Sequence, residues 1–215
     1  PDDPGAYSLD RCAADVVAVV DALGHDRFRL LGHSMGGMIA RRVAGLAPER
    51  VEAVVFMSTA AGPPAGLDPD LVDLGAQLAL EDFAALKALL DEVKALGTPA
   101  YERLVAERPG FAEYGEWKWG RLTPAMWAAL GPQTVREPDA IHEVRALRCP
   151  ALVMIGELDA AFFDASLALA DAAPRGRLAV IPDAGHHPQF ESPEAWRDAL
   201  LAFLDDLDAP GGSTE

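Results

Sequence analysis

Three short stretches hold residue types that together could break an acyl bond. Gly32-His33-Ser34-Met35-Gly36 is a G-x-S-x-G, a serine set between two glycines. A serine hydroxyl is a poor nucleophile and needs a base, which in turn needs an acid to orient it. Downstream, Asp159 closes Gly156-Glu157-Leu158-Asp159, and His186 follows Gly185 in Asp183-Ala184-Gly185-His186-His187-Pro188. Composition alone would produce a G-x-S-x-G in roughly one such chain in twenty, so the pentapeptide needs a structural context to carry weight.

That context is a strand running into a helix through a turn so tight that the serine backbone is strained. Side chains two before and two after Ser34 are expected to collide there, a collision that glycines at 32 and 36 remove. The turn would hold the Ser34 hydroxyl clear of the backbone at a helix N-terminus. The Met35 N–H and the helix dipole could then stabilise a developing oxyanion.

The flanking sequence supplies these elements. Residues 28–32 (FRLLG) read as a strand and 34–46 as a helix ended by Ala47-Pro48. Residues 51–57 (VEAVVFM) read as a strand covered on both faces. Ahead of them, residues 10–23 form an amphipathic helix with Cys12, Val16, Val19, Val20 and Leu23 on its apolar face, closed by Gly24. Residues 65–145 have helical patterns such as 80–96 and no strand-like run, and they concentrate Tyr101, Phe111, Tyr114, Trp117, Trp119 and Trp127. Strand logic resumes at 151–155, followed by a helix at 163–173 and a strand at 177–181. A final helix at 193–207 has Ser192 as its expected N-cap, and the tail PGGSTE reads as disordered. This alternation predicts an α/β parallel sheet, in which Ser34, Asp159 and His186 all follow strand carboxyl ends.

The chain has 215 residues, 34 acidic against 18 basic side chains and a formal net charge of -16. That balance excludes a nucleic-acid binder and disfavours an anionic membrane surface. With 50 % apolar residues, no run long enough to span a bilayer and no leader-like opening, the expectation is a soluble cytoplasmic protein acting on a small molecule. Its oligomeric state is not legible. Cys12 and Cys149 are too few for a disulfide framework and read as small apolar residues.

GHSMGG, GELD after a buried strand, and AGHHPQFESPEAW resemble the corresponding stretches of the α/β-hydrolase superfamily. The resemblance implies a parallel sheet with helices on both faces, a core at 1–64 and 146–215, and a helical cap at 65–145. It implies Ser34 as nucleophile on a nucleophile elbow, Asp159 as acid, His186 as base and Met35 as an oxyanion donor, with no cofactor and no metal. His187 and Glu157 are the alternative base and acid. His33, as a structural or pocket-lining residue, and, in the cap, Trp117, Trp119 and Trp127 are candidates for lining an apolar substrate pocket, the alternative for the cap aromatics being that they pack the cap on itself. Glu191 is expected to fix the His loop or cap the last helix.

The implied function is hydrolysis of a small carboxylic ester or related acyl compound. The alternatives are a carbon–carbon bond hydrolase, a lyase like the menaquinone-pathway member of the superfamily, with Arg103, Arg108 and Arg121 as candidate grips, or a non-catalytic ligand receptor or inert fragment. By the same resemblance, strands that normally precede residue 10, with a second oxyanion donor, are expected to be missing. The chain alone is then expected to be insoluble or inactive, with its strand at 28–32 exposed as an edge.

Overall fold

Runs as apolar as residues 51–57 and 151–156 must be shielded on both faces, and a parallel sheet between helix layers does this. The structure is a computed structural model describing residues 2–93 and 97–209. It has four strands, β1 (Phe28–His33), β2 (Val51–Met57), β3 (Ala151–Gly156) and β4 (Gly176–Ile181), side by side in sequence order. Every pairing is parallel, with His33 opposite Met57, Met57 opposite Met154, and Gly156 opposite Ile181. The segments leaving the strands therefore emerge along one edge.

Helix α1 (Leu9–Ala22) precedes β1, and α2 (Met35–Leu46) joins β1 to β2. Between β2 and β3 the described residues hold six helices and no strand: α3 (Pro69–Glu81), α4 (Phe83–Val93), α5 (Pro99–Glu107), α6 (Phe111–Trp119), α7 (Pro124–Val135) and α8 (Ile141–Arg145). α9 (Phe163–Ala172) connects β3 to β4, and the short α10 (Pro188–Glu191) and long α11 (Pro193–Asp208) close the chain. Side chains alternate across the sheet. Val54, Phe56 and Val153 pack beneath Ala13, Ala40, Val43 and Leu169 of α1, α2 and α9. Ala53, Val55, Met57, Leu152 and Met154 face the other way, against Phe203 of α11. Among the described residues no helix is long and apolar enough to cross a membrane.

The structure departs from the sequence expectations in three helices. α1 turns Leu9 and Ala13 inward, whereas Val19 and Leu23 are exposed. The Ser8 hydroxyl accepts from Arg11 N–H and starts the helix at Leu9. The helix expected over 80–96 is broken at Asp82, whose extended backbone ends α3 and whose carboxylate accepts from Ala85 N–H to open α4; residues 94–96 lie outside the described residues. Ser192 makes no side-chain cap for α11; α10 runs directly into it, and Ser192 N–H donates to Pro188 O. The tail at 210–215 also lies outside the described residues.

The helical insertion is tied back to α2 by buried charge. Glu137, just past α7, takes Arg41 on one carboxylate oxygen and Arg42 on the other, the latter at 2.9 Å. Arg41 and Glu137 are each 3 % exposed, and Arg41 also reaches Glu143 of α8. The Ala140 N–H donates to Ala61 O at 2.7 Å, joining the two ends of the insertion. Removing one member of such a pair strands a buried charge, so Glu137→Ala should cost about 3–5 kcal/mol, a fall in Tm of roughly 10 °C. Asp10→Ala, which removes an exposed partner of Arg42, should change Tm little. Thermal unfolding followed by circular dichroism checks both, and an unchanged Tm for Glu137→Ala would show that the network does not hold the insertion.

Candidate active site

β1 ends at His33 and α2 begins at Met35, so Ser34 makes the turn by itself. Its φ of 54° and ψ of -124° are strained for a residue with a Cβ. Two bonds hold it: Ser34 N–H donates to Met57 O at 2.9 Å, and Ser34 O accepts from the Thr59 hydroxyl at 2.7 Å. A Cβ at Gly32 would overlap the Gly36 carbonyl, so the turn admits no side chain at 32. At Gly36 a Cβ would meet nothing within 4 Å, so the crowding expected on both sides exists only at Gly32. The Ser34 hydroxyl does not cap its own helix, and among the described residues it makes no hydrogen bond to His186. Met35 heads the first turn of α2, where N–H groups have no acceptor within the helix.

The loops after β3 and β4 bring Asp159 and His186 together. His186 Nδ1 lies 2.9 Å from Asp159 Oδ2, and both side chains are 3 % exposed. A Cβ at Gly156 would overlap the Ala184 and Gly185 carbonyls, so the approach of the two loops requires glycine there. Backbone bonds from Glu157 N–H to Ile181 O and from Leu158 N–H to Ala184 O fasten them, at 2.9 and 2.8 Å. Glu157 turns away from the histidines, and its carboxylate accepts from Asp183 N–H. Phe162 lies against the His186 ring, with centroids 4.9 Å apart.

Two further histidines surround this pair. His33 Nε2 lies 2.7 Å from His186 O, and because a carbonyl only accepts, that nitrogen carries the proton. The residue beside Ser34 thus anchors the backbone of His186. Burial, reinforced by His186, holds the His33 imidazole down at about 4. Burial, then His186, His33 and Lys118, holds His187 at about 3, and its Nδ1 is buried without a hydrogen-bond partner. Among the described residues no three His, Cys, Asp or Glu side chains are grouped as metal ligands would be.

The contacts of the three candidate tryptophans are made within the insertion, and Trp117 is half exposed. Trp127 fills the space left by Gly75 and Gly131 between α3 and α7, Trp119 stacks on Phe83, and Trp117 stacks on Tyr114 with Arg121 over its outer face. The insertion aromatic that meets the histidines is Tyr101, 5.3 Å from His187, while Phe111 and Tyr114 pack on Phe190 of α10. A cavity of about 310 Å³ lined by Ala100, Arg103, Leu104, Arg108 and Glu191 lies between α5 and this loop. Neither Tyr101 nor Phe190 stood apart from the other aromatics in the sequence.

Neutral buried imidazoles set a pH dependence of stability. As the pH falls below 6.5, an unfolded chain protonates both rings, whereas the folded chain leaves His33 neutral to about 4 and His187 to about 3. The unfolded state binds more protons in that window, so stability is lost as pH drops from 6.5 toward 4. Each ring contributes at most about 1.4 kcal/mol per pH unit. A His33→Gln, His187→Gln double variant, with a donor kept for His186 O, should flatten that decline. Urea midpoints at about pH 7 and about pH 5 measure it, and equal declines in both proteins would refute the assignment.

A family model described as the alpha/beta hydrolase fold matches residues 1–193. BpoC of Mycobacterium tuberculosis, named as a non-heme bromoperoxidase, is 32 % identical over 92 % of this chain and 76 % of its own length. A 2-hydroxymuconate semialdehyde hydrolase of Pseudomonas putida is 31 % identical over 95 % of this chain and 72 % of its own. The solved structure of a thermophilic esterase from Thermogutta terrifontis superposes with a TM-score of 0.81 at 25 % identity, over 94 % of this chain and 74 % of that one. A parallel sheet with a strained serine between strand and helix, together with this family match, establishes that the chain belongs to the α/β-hydrolase fold family.

Proposed function

We propose that the chain is a serine hydrolase cleaving a small carboxylic ester or related acyl compound, with Ser34, His186 and Asp159 as its triad. The observation that carries this reading is the buried Asp159–His186 hydrogen bond at the strand-end edge that also bears Ser34. In the reaction Ser34 Oγ attacks the carbonyl carbon while His186 Nε2 takes its proton. The Met35 N–H, at the positive end of α2, stabilises the oxyanion. His186 returns the proton to the leaving alcohol, and water then releases the acid by the same steps in reverse. Asp159 fixes the tautomer that leaves Nε2 free and stabilises the imidazolium. An unengaged Ser34 hydroxyl is compatible with this role, since catalytic hydrogen bonds often tighten only once substrate is bound. In this reading residues 65–145 are the cap over a core of 1–64 and 146–215, and His33 with Tyr101 borders the substrate.

A second reading, carbon–carbon bond hydrolysis by the same three residues, is favoured by the similarity to the 2-hydroxymuconate semialdehyde hydrolase. Hydrolysis of p-nitrophenyl acetate compared with that of a vinylogous diketone separates the two. For either, a fluorophosphonate should label Ser34 in the folded full-length protein and not in its Ser34→Ala variant. Asp159→Asn and His186→Gln should lower kcat by roughly 10³- to 10⁴-fold or more. A folded full-length protein that takes no label would overturn the hydrolase reading in favour of a ligand receptor.

A further inference from the structure

Among the described residues Glu191 is the acidic group beside the histidines with no part in the proposed chemistry, although its side chain is 0 % exposed. One carboxylate oxygen, Oε2, accepts from Gly185 N–H, and the other, Oε1, accepts from His187 N–H at 3.0 Å. The backbone N–H groups of the residues before and after His186 are therefore held by a single side chain. His33 holds the intervening carbonyl and Asp159 the ring. Among the described residues Glu191 makes no ion pair with a lysine or arginine, although Arg103 and Arg108 line the same cavity. His187 Nδ1 is 3.7 Å from Oε1, and that ring stays neutral down to about pH 3. Oε2 also accepts from the Thr98 hydroxyl at 3.3 Å. Thr98 Oγ1 in turn accepts from Tyr101 N–H at 3.1 Å and so caps α5. A continuous chain of hydrogen bonds runs from the first turn of α5 through Thr98 and Glu191 to the N–H groups of Gly185 and His187.

We propose that Glu191 is a positioning residue for His186, and that Thr98 makes this positioning depend on how the helical insertion is seated. The proposal rests on the reading of His186 as the base. Two carboxylate oxygens meet two diverging N–H groups, whereas an amide offers only one acceptor and opposes the other N–H with its own NH₂. Glutamine, although isosteric, releases one side of the loop. Proton transfer tolerates little displacement, since a misplacement of about 1 Å can cost about 10²-fold. Thr98 lies so close that a Cβ on Gly185 would collide with its side chain, so a shift of α5 is felt at once in the loop.

Three measurements on the full chain test this. Glu191→Gln should lower kcat for p-nitrophenyl acetate about 10- to 100-fold with KM within about two-fold, and should slow fluorophosphonate labelling of Ser34 in step. The low-field proton resonance of His186 Nδ1–H, which reports the Asp159 hydrogen bond, should broaden or disappear. Thr98→Val should produce the same changes more weakly, about three- to ten-fold in kcat, and Thr98→Ser, which restores the hydroxyl, should reverse them. Wild-type kcat and resonance in a folded Glu191→Gln would overturn the role of Glu191. A Thr98→Val indistinguishable from wild type would overturn the link to the insertion, and it decides the matter if Glu191→Gln does not fold. If the wild type neither turns over nor takes label, the hydrolase reading fails. The resonance still reports whether Glu191 holds the Asp159–His186 pair.

Discussion

The hydrogen bond between His186 and Asp159 is made by two side chains that water scarcely reaches, and groups so placed must find their partners inside the protein. Meeting that demand shapes the neighbourhood. The loops after β3 and β4 come so close that Gly156 has no room for a side chain. Their peptides are pinned across the gap by Glu157 and Leu158. Each polar atom nearby then needs an acceptor or donor of its own, and His33 and Glu191 supply them for the backbone on either side of the ring. What is buried for one hydrogen bond becomes a network in which every member limits its neighbours' freedom.

The parallel sheet makes such a network possible at all. Residues as far apart in sequence as Ser34, Asp159 and His186 lie along one edge because all follow strand carboxyl ends, and the register of β1 to β4 fixes how far apart those ends lie. Ser34 reaches the edge only by adopting a backbone conformation that costs of order 1–3 kcal/mol, which its bonds to Met57 and Thr59 offset.

Much of this was legible in the sequence because the signals are local or periodic. The strands at 51–57 and 151–156 are nearly continuously apolar, the turn at Ser34 needs Gly32 two residues away, and the placement of the three candidate residues at strand carboxyl ends follows from strand alternation. Other features depended on long-range packing. The inward face of α1 is built on Ala13, whose small side chain lets α2 approach closely, while the larger Val19 and Leu23 that drew attention face outward. For Trp127 the sequence left packing and pocket lining both open, and the seat that Gly75 and Gly131 hollow out for it among helices depends on tertiary contact. The meeting of Glu191 with Thr98 spans 93 residues and leaves no trace in either local sequence.

Glu137 sits where the insertion returns to the sheet, and its carboxylate is shared by two arginines on the helix that begins beside Ser34. The insertion is therefore not a freely exchangeable lid. A chimera that replaced residues 65–145 with helices from a relative would leave two guanidinium groups of α2 facing a strange surface, one of them in the interior. Only donors that carry an acid at the return point would fit this core. Variation among relatives in the insertion is thus expected to travel with the identity of residues 41 and 42.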